Sequence, residues 1–231
     1  MDNILANEIN QLGIRLTELQ VQQFQLYAKT LCQWNQKTNL TRIISENDIA
    51  IKHFFDSMAV IKAIPDFYRG DLLDIGSGAG FPGIPLSLIL PDASFTLLDA
   101  SRKRVSFLKY IINILGLKHV NAYHGRMEQW RCQKKYINHY NVVVSRAFSE
   151  IKAFVDGVIP LVKDKGRIIA MKGINVHDEL KTFTVPENLN MVIENYTLPM
   201  INQKRYLVCF DINNSTNQKT IHTDSSYNLA S

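Results

Sequence analysis

The chain of 231 residues lacks any run of about eighteen apolar residues, and acidic residues stand near its start where a secretion signal would carry basic ones. These absences predict a cytoplasmic protein without a membrane partner. Cysteine is scarce too: Cys32, Cys132 and Cys209 are far apart, and no C-x-x-C pair occurs. We therefore expect neither a disulfide framework nor a bound metal.

A strong excess of one charge is also missing, since 26 Lys and Arg residues stand against 21 Asp and Glu residues and leave a formal net charge of +5. This surplus suits a polyanionic partner such as a nucleic acid but does not require one. The composition is otherwise ordinary for a soluble globular protein.

Helical periodicity dominates the first part of the chain. Thr17 and Gln20 have the spacing of a capping box, and Ser45 and Asp48 repeat this start signal ahead of an apolar stretch that Pro65 closes. The polar composition at the other end predicts disorder. The sequence thus predicts an N-terminal helical extension over 1–67, a main domain over 68–212 and a disordered tail over 213–231.

Within the main domain, short apolar segments alternate with helical ones, which is typical of a doubly wound, mostly parallel sheet with helices on both faces. The last two strand candidates follow each other like a hairpin, which differs from the six parallel strands of a dinucleotide dehydrogenase. Strands are predicted at 72–75, 95–98, 119–123, 141–145, 167–171, 191–198 and 206–211, and helices at 82–90, 102–115, 150–161 and 176–181.

A glycine-rich turn follows the first predicted strand. Gly76, Gly78 and Gly80 let the backbone turn sharply and approach a ligand, and Asp99 at the second strand end can accept hydrogen bonds from both hydroxyls of a ribose. The loop also satisfies G-x-G-x-x-G, so a nicotinamide cofactor is an alternative. Asp74 would repel a pyrophosphate but suits the cationic amino group of a methionine tail, which favours S-adenosylmethionine.

S-adenosylmethionine is a methyl donor, and the residues at the end of the fourth predicted strand indicate which kind of atom would receive the methyl group. Adenine or cytosine amines usually need an Asn/Asp-Pro-Pro-aromatic loop there, and carbon-5 of a pyrimidine needs a cysteine, usually after a proline; the chain has neither motif. Arg146 stands there instead and stays charged at any working pH. This favours a target that needs no base, such as guanine N7, with Arg146 holding a guanine edge, a phosphate or the methionine carboxylate.

Eight segments follow one another in a fixed order: 34–41, 53–57, 74–85, 97–99, 103–108, 145–148, 171–173 and 205–207. In these segments the chain closely resembles the bacterial small-subunit ribosomal RNA methyltransferase G family, also called the glucose-inhibited division protein B family. The resemblance implies a class I, Rossmann-like methyltransferase fold with a seven-stranded sheet, S-adenosylmethionine as cofactor, and N7 of a guanine in 16S ribosomal RNA as target. The partner would be the small ribosomal subunit, and we expect a monomer.

The resemblance also assigns residues. It places Gly76, Phe81, Met127, Glu128 and Arg146 around the cofactor, with Asp99 at the ribose, and Asp74 and Gly78 join them from the loop argument. Arg146, Lys172 and Arg205 are the expected catalytic cations, and Arg126 is a further cation near the RNA.

Two other sets of residues have expected structural roles. His53 and Asp56 are three residues apart on a predicted helix and could pair with each other, a structural role that we favour over the alternative of a catalytic role for His53. We expect Trp34 to belong to the core, with a role of Trp34, Asn35 and Asn39 in the RNA-binding face as the alternative. Rival functions are a methyltransferase for a small molecule and a cofactor-binding RNA module without turnover.

Overall fold

A mixed sheet forms the centre of the computed structural model, which describes residues 2–65, 68–146, 148 and 150–213. Its strands are Asp71–Ile75 (β1), Ser94–Asp99 (β2), Val120–His124 (β3), Tyr140–Ser145 (β4), Val162–Lys172 (β5), Leu189–Leu198 (β6) and Gln203–Ile212 (β7). Their order across the sheet is β3-β2-β1-β4-β5-β7-β6. All the predicted strands are confirmed, and β5 begins five residues earlier than predicted, at Val162.

The sheet is parallel from β1 to β5, whereas β7 is antiparallel to both β5 and β6. The near-continuous apolar sequence of the central strands is typical of strands that are buried on both faces. In β1, for example, Leu72 packs into an apolar cluster on one face and Leu73 into a cluster on the other. The strand order reverses between β1 and β4, and open parallel sheets bind ligands at such a reversal.

Helices cover both faces of the sheet. The helices that precede β1, together with those after β1 and β2, share the cluster of Leu72, whereas those after β3 and β4 share the cluster of Leu73. No helix of the described residues is both long and apolar enough to cross a membrane. The α-helices are Asp2–Ile9 (α1), Glu18–Thr38 (α2), Glu46–Asp48 (α3), Asp56–Met58 (α4), Gly83–Ile89 (α5), Arg102–Ile114 (α6), Met127–Trp130 (α7), Ile151–Val158 (α8) and Val176–Leu180 (α9).

The first helices bury their apolar faces in the same cluster as the sheet, so packing does not separate the predicted extension from the main domain. The predicted domain boundaries therefore stay predictions. Thr17 forms the predicted capping box at the start of α2, and Ser45 accepts the predicted cap from the Asp48 N–H at 3.1 Å. Beyond residue 213, the predicted tail lies outside the described residues.

Residues 46–63 form one helical run of mixed geometry rather than a regular helix. A π-helical turn, Ile49–Phe55, lies between α3 and α4, and a 3₁₀ turn, Ala59–Ala63, follows. Single π turns occur often at functional sites, because the extra residue re-aims the side chains on one face. Here the turn carries His53, and α4 begins at Asp56; both side chains contact the end of β4.

Candidate functional site

Three adjoining cavities lie at the carboxyl ends of the parallel strands, where the strand order reverses. The Asp99 cavity (≈ 210 Å³) and the Phe81 cavity (≈ 200 Å³) share Gly76, and the Lys172 cavity (≈ 440 Å³) shares Arg146 with the Phe81 cavity. Each predicted site residue except Asp74 lines at least one cavity: Gly76, Asp99, Met127 and Glu128 the first, Gly76, Gly78, Phe81 and Arg146 the second, and Arg146, Lys172 and Arg205 the third.

The glycine loop is locked to the end of β2. Gly76 and Gly78 have φ angles of 72° and 60°, in the left-handed region that glycine adopts without strain. The Gly78 N–H donates to Asp99 Oδ2 at 2.8 Å, and the Ser101 N–H donates to Asp99 Oδ1 at 2.8 Å. A carboxylate offers about four acceptor positions, so Asp99 retains capacity for the hydroxyl groups of a ligand.

Asp74 lies beneath the glycine loop, outside the three cavities. Its side chain is fully buried, and Oδ2 accepts a hydrogen bond from the Gly83 N–H at 2.9 Å, at the first residue of α5. Burial raises the pKa of this carboxyl to about 7, against the opposing effects of Gly83, Ser77 and Arg146. Asp74 Oδ1 has no hydrogen-bond partner among the described residues, which leaves one buried acceptor open beneath the loop.

The raised pKa of Asp74 predicts a measurable loss of stability with pH. Between about pH 4 and pH 7 the folded protein keeps this proton while the unfolded chain releases it, so the free energy of unfolding falls as pH rises through that window. At about 1.4 kcal/mol per unit, the loss is roughly 4 kcal/mol. Asp74→Asn keeps an acceptor for Gly83 and should remove this component, measured by urea unfolding at pH 5 and pH 8. An identical difference between the two pH values in both proteins would contradict it.

α5 packs unusually close to the sheet beside Asp74. A Cβ atom at Gly83 would lie 2.2 Å from Leu97 Cδ2 and 2.8 Å from Asp74 Oδ2. Gly83, the third glycine of the G-x-G-x-x-G pattern, therefore serves helix packing, whereas Gly78 and Gly80 belong to the loop. Helix α5 was predicted to begin at Pro82 and begins one residue later, at Gly83, because Pro82 occupies the N-cap position.

Met127 and Glu128 reach the Asp99 cavity from α7, which has only four residues and is too short for sequence periodicity to reveal. Met127 is buried against α8, where a Cβ atom at Gly157 would lie 2.2 Å from Met127 Cε. Gly157 thus provides the space for the Met127 side chain next to the cavity. No sequence motif marks this glycine, and the contact joins residues 30 positions apart.

Arg146 links β4 to the glycine loop and to the helical run. Its guanidinium carbon lies 4.9 Å from the centroid of the Phe81 ring, and Nη2 is 3.2 Å from His53 Nδ1. Nη1 also donates to the Lys52 carbonyl at 3.2 Å. Burial, and next the charge of Arg146, lower the pKa of His53 to about 3, so His53 is neutral at physiological pH.

Asp56 holds the two arginines of the site together. Its carboxylate is 2% exposed, and it accepts hydrogen bonds from Arg205 Nε at 3.0 Å and Nη2 at 3.1 Å, and from the Tyr196 hydroxyl at 2.6 Å. Arg146 Nη1 lies 3.5 Å from Asp56 Oδ2. Burial alone would lower the pKa of Arg205, but Asp56 raises it above its usual value.

The predicted pairing of His53 with Asp56 is wrong. The ring of His53 bonds to Arg146 and, through Nε2 at 2.9 Å, to Thr41 Oγ1, while Asp56 binds Arg205 and Tyr196. The π turn, together with cations that are distant in sequence, determines the partners of His53 and Asp56. The spacing of two residues along a helix predicts neither the turn nor the cations.

Lys172 is 9% exposed and lies at the end of β5. Its Nζ donates to Glu179 Oε2 at 2.9 Å and to the Phe148 carbonyl at 3.1 Å. Glu179 Oε1 also accepts a hydrogen bond from the Ile151 N–H at the start of α8. Lys172, predicted as a catalytic cation, thus stands at the cavity with its charge balanced by Glu179.

The motif at 34–41 shapes the Phe81 cavity. Asn35 closes the connection after α2: its Nδ2 donates to the Thr41 carbonyl at 2.8 Å, and its Oδ1 accepts from the Thr41 N–H at 2.9 Å. Thr41 then lines the cavity and bonds to His53. Trp34 packs with its ring centroid 5.5 Å from that of Phe107, consistent with its predicted place in the core.

The polar groups that line the cavities fit a nucleoside with a charged tail. The open acceptor positions of Asp99 suit ribose hydroxyls, the glycine backbone admits close approach, and Arg146 at the Phe81 cavity suits the carboxylate of such a tail. No group of three or more His, Cys, Asp or Glu side chains able to hold a metal ion occurs in the described residues.

The solved structure of a SAM dependent methyltransferase from Aquifex aeolicus is similar to this chain, with a TM-score of 0.56 and 15% identity, over 75% of this chain and 97% of that one. A predicted O-methyltransferase from Agrobacterium tumefaciens has the same TM-score of 0.56, at 14% identity, over 68% of this chain and 80% of that one. The sheet order and the cleft at its reversal define the class: this is the class I methyltransferase fold.

A family model described as rRNA small subunit methyltransferase G matches residues 20–208. The ribosomal RNA small subunit methyltransferase G of Geotalea uraniireducens is 38% identical over 213 residues, 90% of this chain and 95% of that protein. That of Streptococcus gordonii is 39% identical over 174 residues, 75% of this chain and 73% of that protein. The chain belongs to the rRNA small subunit methyltransferase G family, as the ordered motifs predicted, and it is a methyltransferase.

Proposed function

We propose that the protein transfers the methyl group of S-adenosylmethionine to N7 of a guanine in 16S ribosomal RNA, acting in the cytoplasm as a monomer. The observation that carries this proposal is the arrangement at the strand reversal, where a loop locked to Asp99 adjoins a cavity lined by Arg146, Lys172 and Arg205. Family membership supports ribosomal RNA as the substrate.

The Asp99 and Phe81 cavities together suit the two ends of the cofactor. Asp99 would accept the ribose hydroxyls, and Met127 and Glu128 would flank the adenine. Gly76, Gly78, Phe81 and Arg146 would surround the methionine end. S-adenosylmethionine supplies a methyl group already activated on a sulfonium, so the protein needs only to place a nucleophile in line with it.

The side chains around the Lys172 cavity favour a nucleophile that needs no proton removal. The carboxylates of Asp56 and Glu179 are held in ion pairs with arginine or lysine, and His53 has its pKa lowered to about 3 and bonds to Arg146. Of the described residues that line the three cavities, none is a cysteine. Guanine N7 carries an in-plane lone pair that attacks directly, which matches a site of paired cations.

The test uses methyl-labelled cofactor with 30S subunits, or with bare 16S ribosomal RNA, from a strain that lacks the protein. Chemical cleavage at N7-methylguanine should reveal a new site after incubation. A labelled product without that cleavage would exclude N7 as the target. Transfer to a free metabolite, with little dependence on salt, would favour a small-molecule methyltransferase instead.

Asp99→Ala should weaken binding of S-adenosylmethionine by about tenfold or more, because hydrogen bonds to a charged acceptor contribute roughly 1.5 to 3 kcal/mol. Isothermal titration calorimetry measures the dissociation constant. Asp156→Ala is the matched control, because Asp156 is a half-exposed carboxylate that pairs with Lys152 on the surface of α8. Equal affinity of wild type and Asp99→Ala would remove Asp99 from the cofactor site.

A further inference from the structure

The positive charge of the chain is concentrated in one segment. Residues 100–146 contain 10 of the 26 Lys and Arg residues but only one of the 21 acidic residues, a net charge of +9. The rest of the chain has 16 basic against 20 acidic residues, a net charge of −4. The segment includes α6, β3 and α7, so the positive charge gathers at the β3 end of the sheet.

Helix α6 has a buried apolar core side and several exposed cations. Val105, Phe107, Leu108 and Ile111 are buried, whereas Arg102, Lys103, Arg104 and Lys109 are exposed. The helix begins beside the site: Arg104 lines the Phe81 cavity, and its Nη1 lies 3.6 Å from Asp99 Oδ2. Its 13 residues extend about 20 Å from there.

A separate cleft lies farther along α6, between that helix and the free edge of β3. The cleft has a volume of ≈ 610 Å³, and Lys109, Lys118 and Tyr123 line it together with the amides of Asn113 and Asn121. Within the described part of the chain neither lysine forms an ion pair, and the Tyr123 side chain is 40% exposed. We call it the β3 cleft.

We propose that the β3 cleft is a second docking surface for the substrate RNA, which holds the sugar-phosphate backbone outside the catalytic cavities. The identity of that RNA rests on the proposed function. Lys109 and Lys118 would contact phosphates, and Tyr123 offers an aromatic face on which an unpaired base stacks. An RNA strand seated there would reach the Phe81 cavity past the exposed cations of α6.

The charge of the segment favours RNA over a polypeptide strand, the other kind of partner that can bind at an edge strand. Among the described residues β3 pairs with β2 alone, so a polypeptide strand could also add to it. Between residues 100 and 127 there are six Lys and Arg residues and no acidic one, which favours a polyanion. Helix α6 also extends from Arg104 at the Phe81 cavity to Lys109 at the cleft.

The experiment compares Lys109→Gln/Lys118→Gln with Lys29→Gln/Lys62→Gln. Both double variants lose two positive charges from exposed lysines, but Lys29 and Lys62 lie before β1, outside the basic segment. The dissociation constant for 16S ribosomal RNA is measured by filter binding without cofactor, at several salt concentrations. KM for the RNA and kcat are measured with 30S subunits.

The cleft variant should bind RNA about tenfold more weakly, and the slope of log affinity against log salt should fall by about 1.4, the value for two phosphate contacts on single-stranded RNA. KM should rise while kcat stays within twofold. Tyr123→Ala should weaken binding without changing the salt slope. Affinity and slope equal to those of the control variant would overturn the proposal and favour a polypeptide at the β3 edge.

The RNA-binding test of the β3 cleft gives a clear result even if the proposed function is wrong. RNA binding is measured without cofactor or methyl transfer, so a wild-type protein that bound 16S ribosomal RNA but made no N7-methylguanine would fail the first test alone. A wild-type protein that methylated the RNA with no contribution from Lys109 and Lys118 would fail only the second.

Discussion

Arg146→Ala is expected to lose most methyl transfer, by about a hundredfold or more in single-turnover rate. The arginine lines both the Phe81 and the Lys172 cavities, stacks on Phe81 and contacts His53 and Asp56. Its removal takes away a cation that the two cavities share. Arg146→Lys should recover little activity, because an ammonium cannot form the planar fork that stacks and bonds at the same time.

Arg69→Ala is the matched control for Arg146, since Arg69 forms an exposed ion pair with Asp92 far from the cavities. Surface pairs of this kind contribute about 0 to 1 kcal/mol. Thermal unfolding should show that both alanine variants are folded before their rates are compared. Wild-type turnover in Arg146→Ala would end its assignment to the site.

Asp56→Ala is expected to lower the free energy of unfolding by about 3 to 5 kcal/mol, the usual cost of removing one partner from a buried ion pair. Asp56 accepts two hydrogen bonds from Arg205 and one from Tyr196, and it lies beside Arg146, all with little access to water. Without it, the guanidinium group of Arg205 and a buried hydroxyl lose their acceptor. Urea unfolding measures the change as a lower midpoint at constant slope.

Asp92→Ala provides the comparison, because it removes a surface carboxylate that pairs with Arg69 and should cost less than about 1 kcal/mol. Tyr196→Phe removes only the hydroxyl, and combined with Asp56→Ala it should cost less than the sum of the single changes, since both remove the same hydrogen bond. Equal stability of Asp56→Ala and Asp92→Ala would show that Asp56 does not hold the arginines together.

The basic helix α6 shows where sequence and structure each contribute. Its boundaries were predicted within one residue, because Ser101 caps it and buried positions recur at helical spacing from Val105 to Ile111. Sequence also shows that residues 102–109 are rich in cations. Only the tertiary structure shows that this helix packs beside an edge strand and begins at the Phe81 cavity.

The glycine loop and Asp99 were recognised from sequence for a physical reason. A strand, a tight turn and a helix are adjacent in the chain, and their backbone demands appear directly as glycine and proline positions. The same holds for Arg146, which immediately follows β4. The roles of these residues toward cofactor and RNA stay predictions.

The sequence by itself determined the strands, the starts of α2 and α6, the glycine loop and the family, since each is written in neighbouring residues or in motifs with a fixed order. The tertiary structure decided the partners. Asp56 meets Arg205 across 149 positions of sequence, and Gln23 bonds the Leu115 carbonyl across 92. Such contacts depend on how helices and strands pack, which no local periodicity encodes, so the linking role of Asp56 and the β3 cleft emerged only from the folded chain.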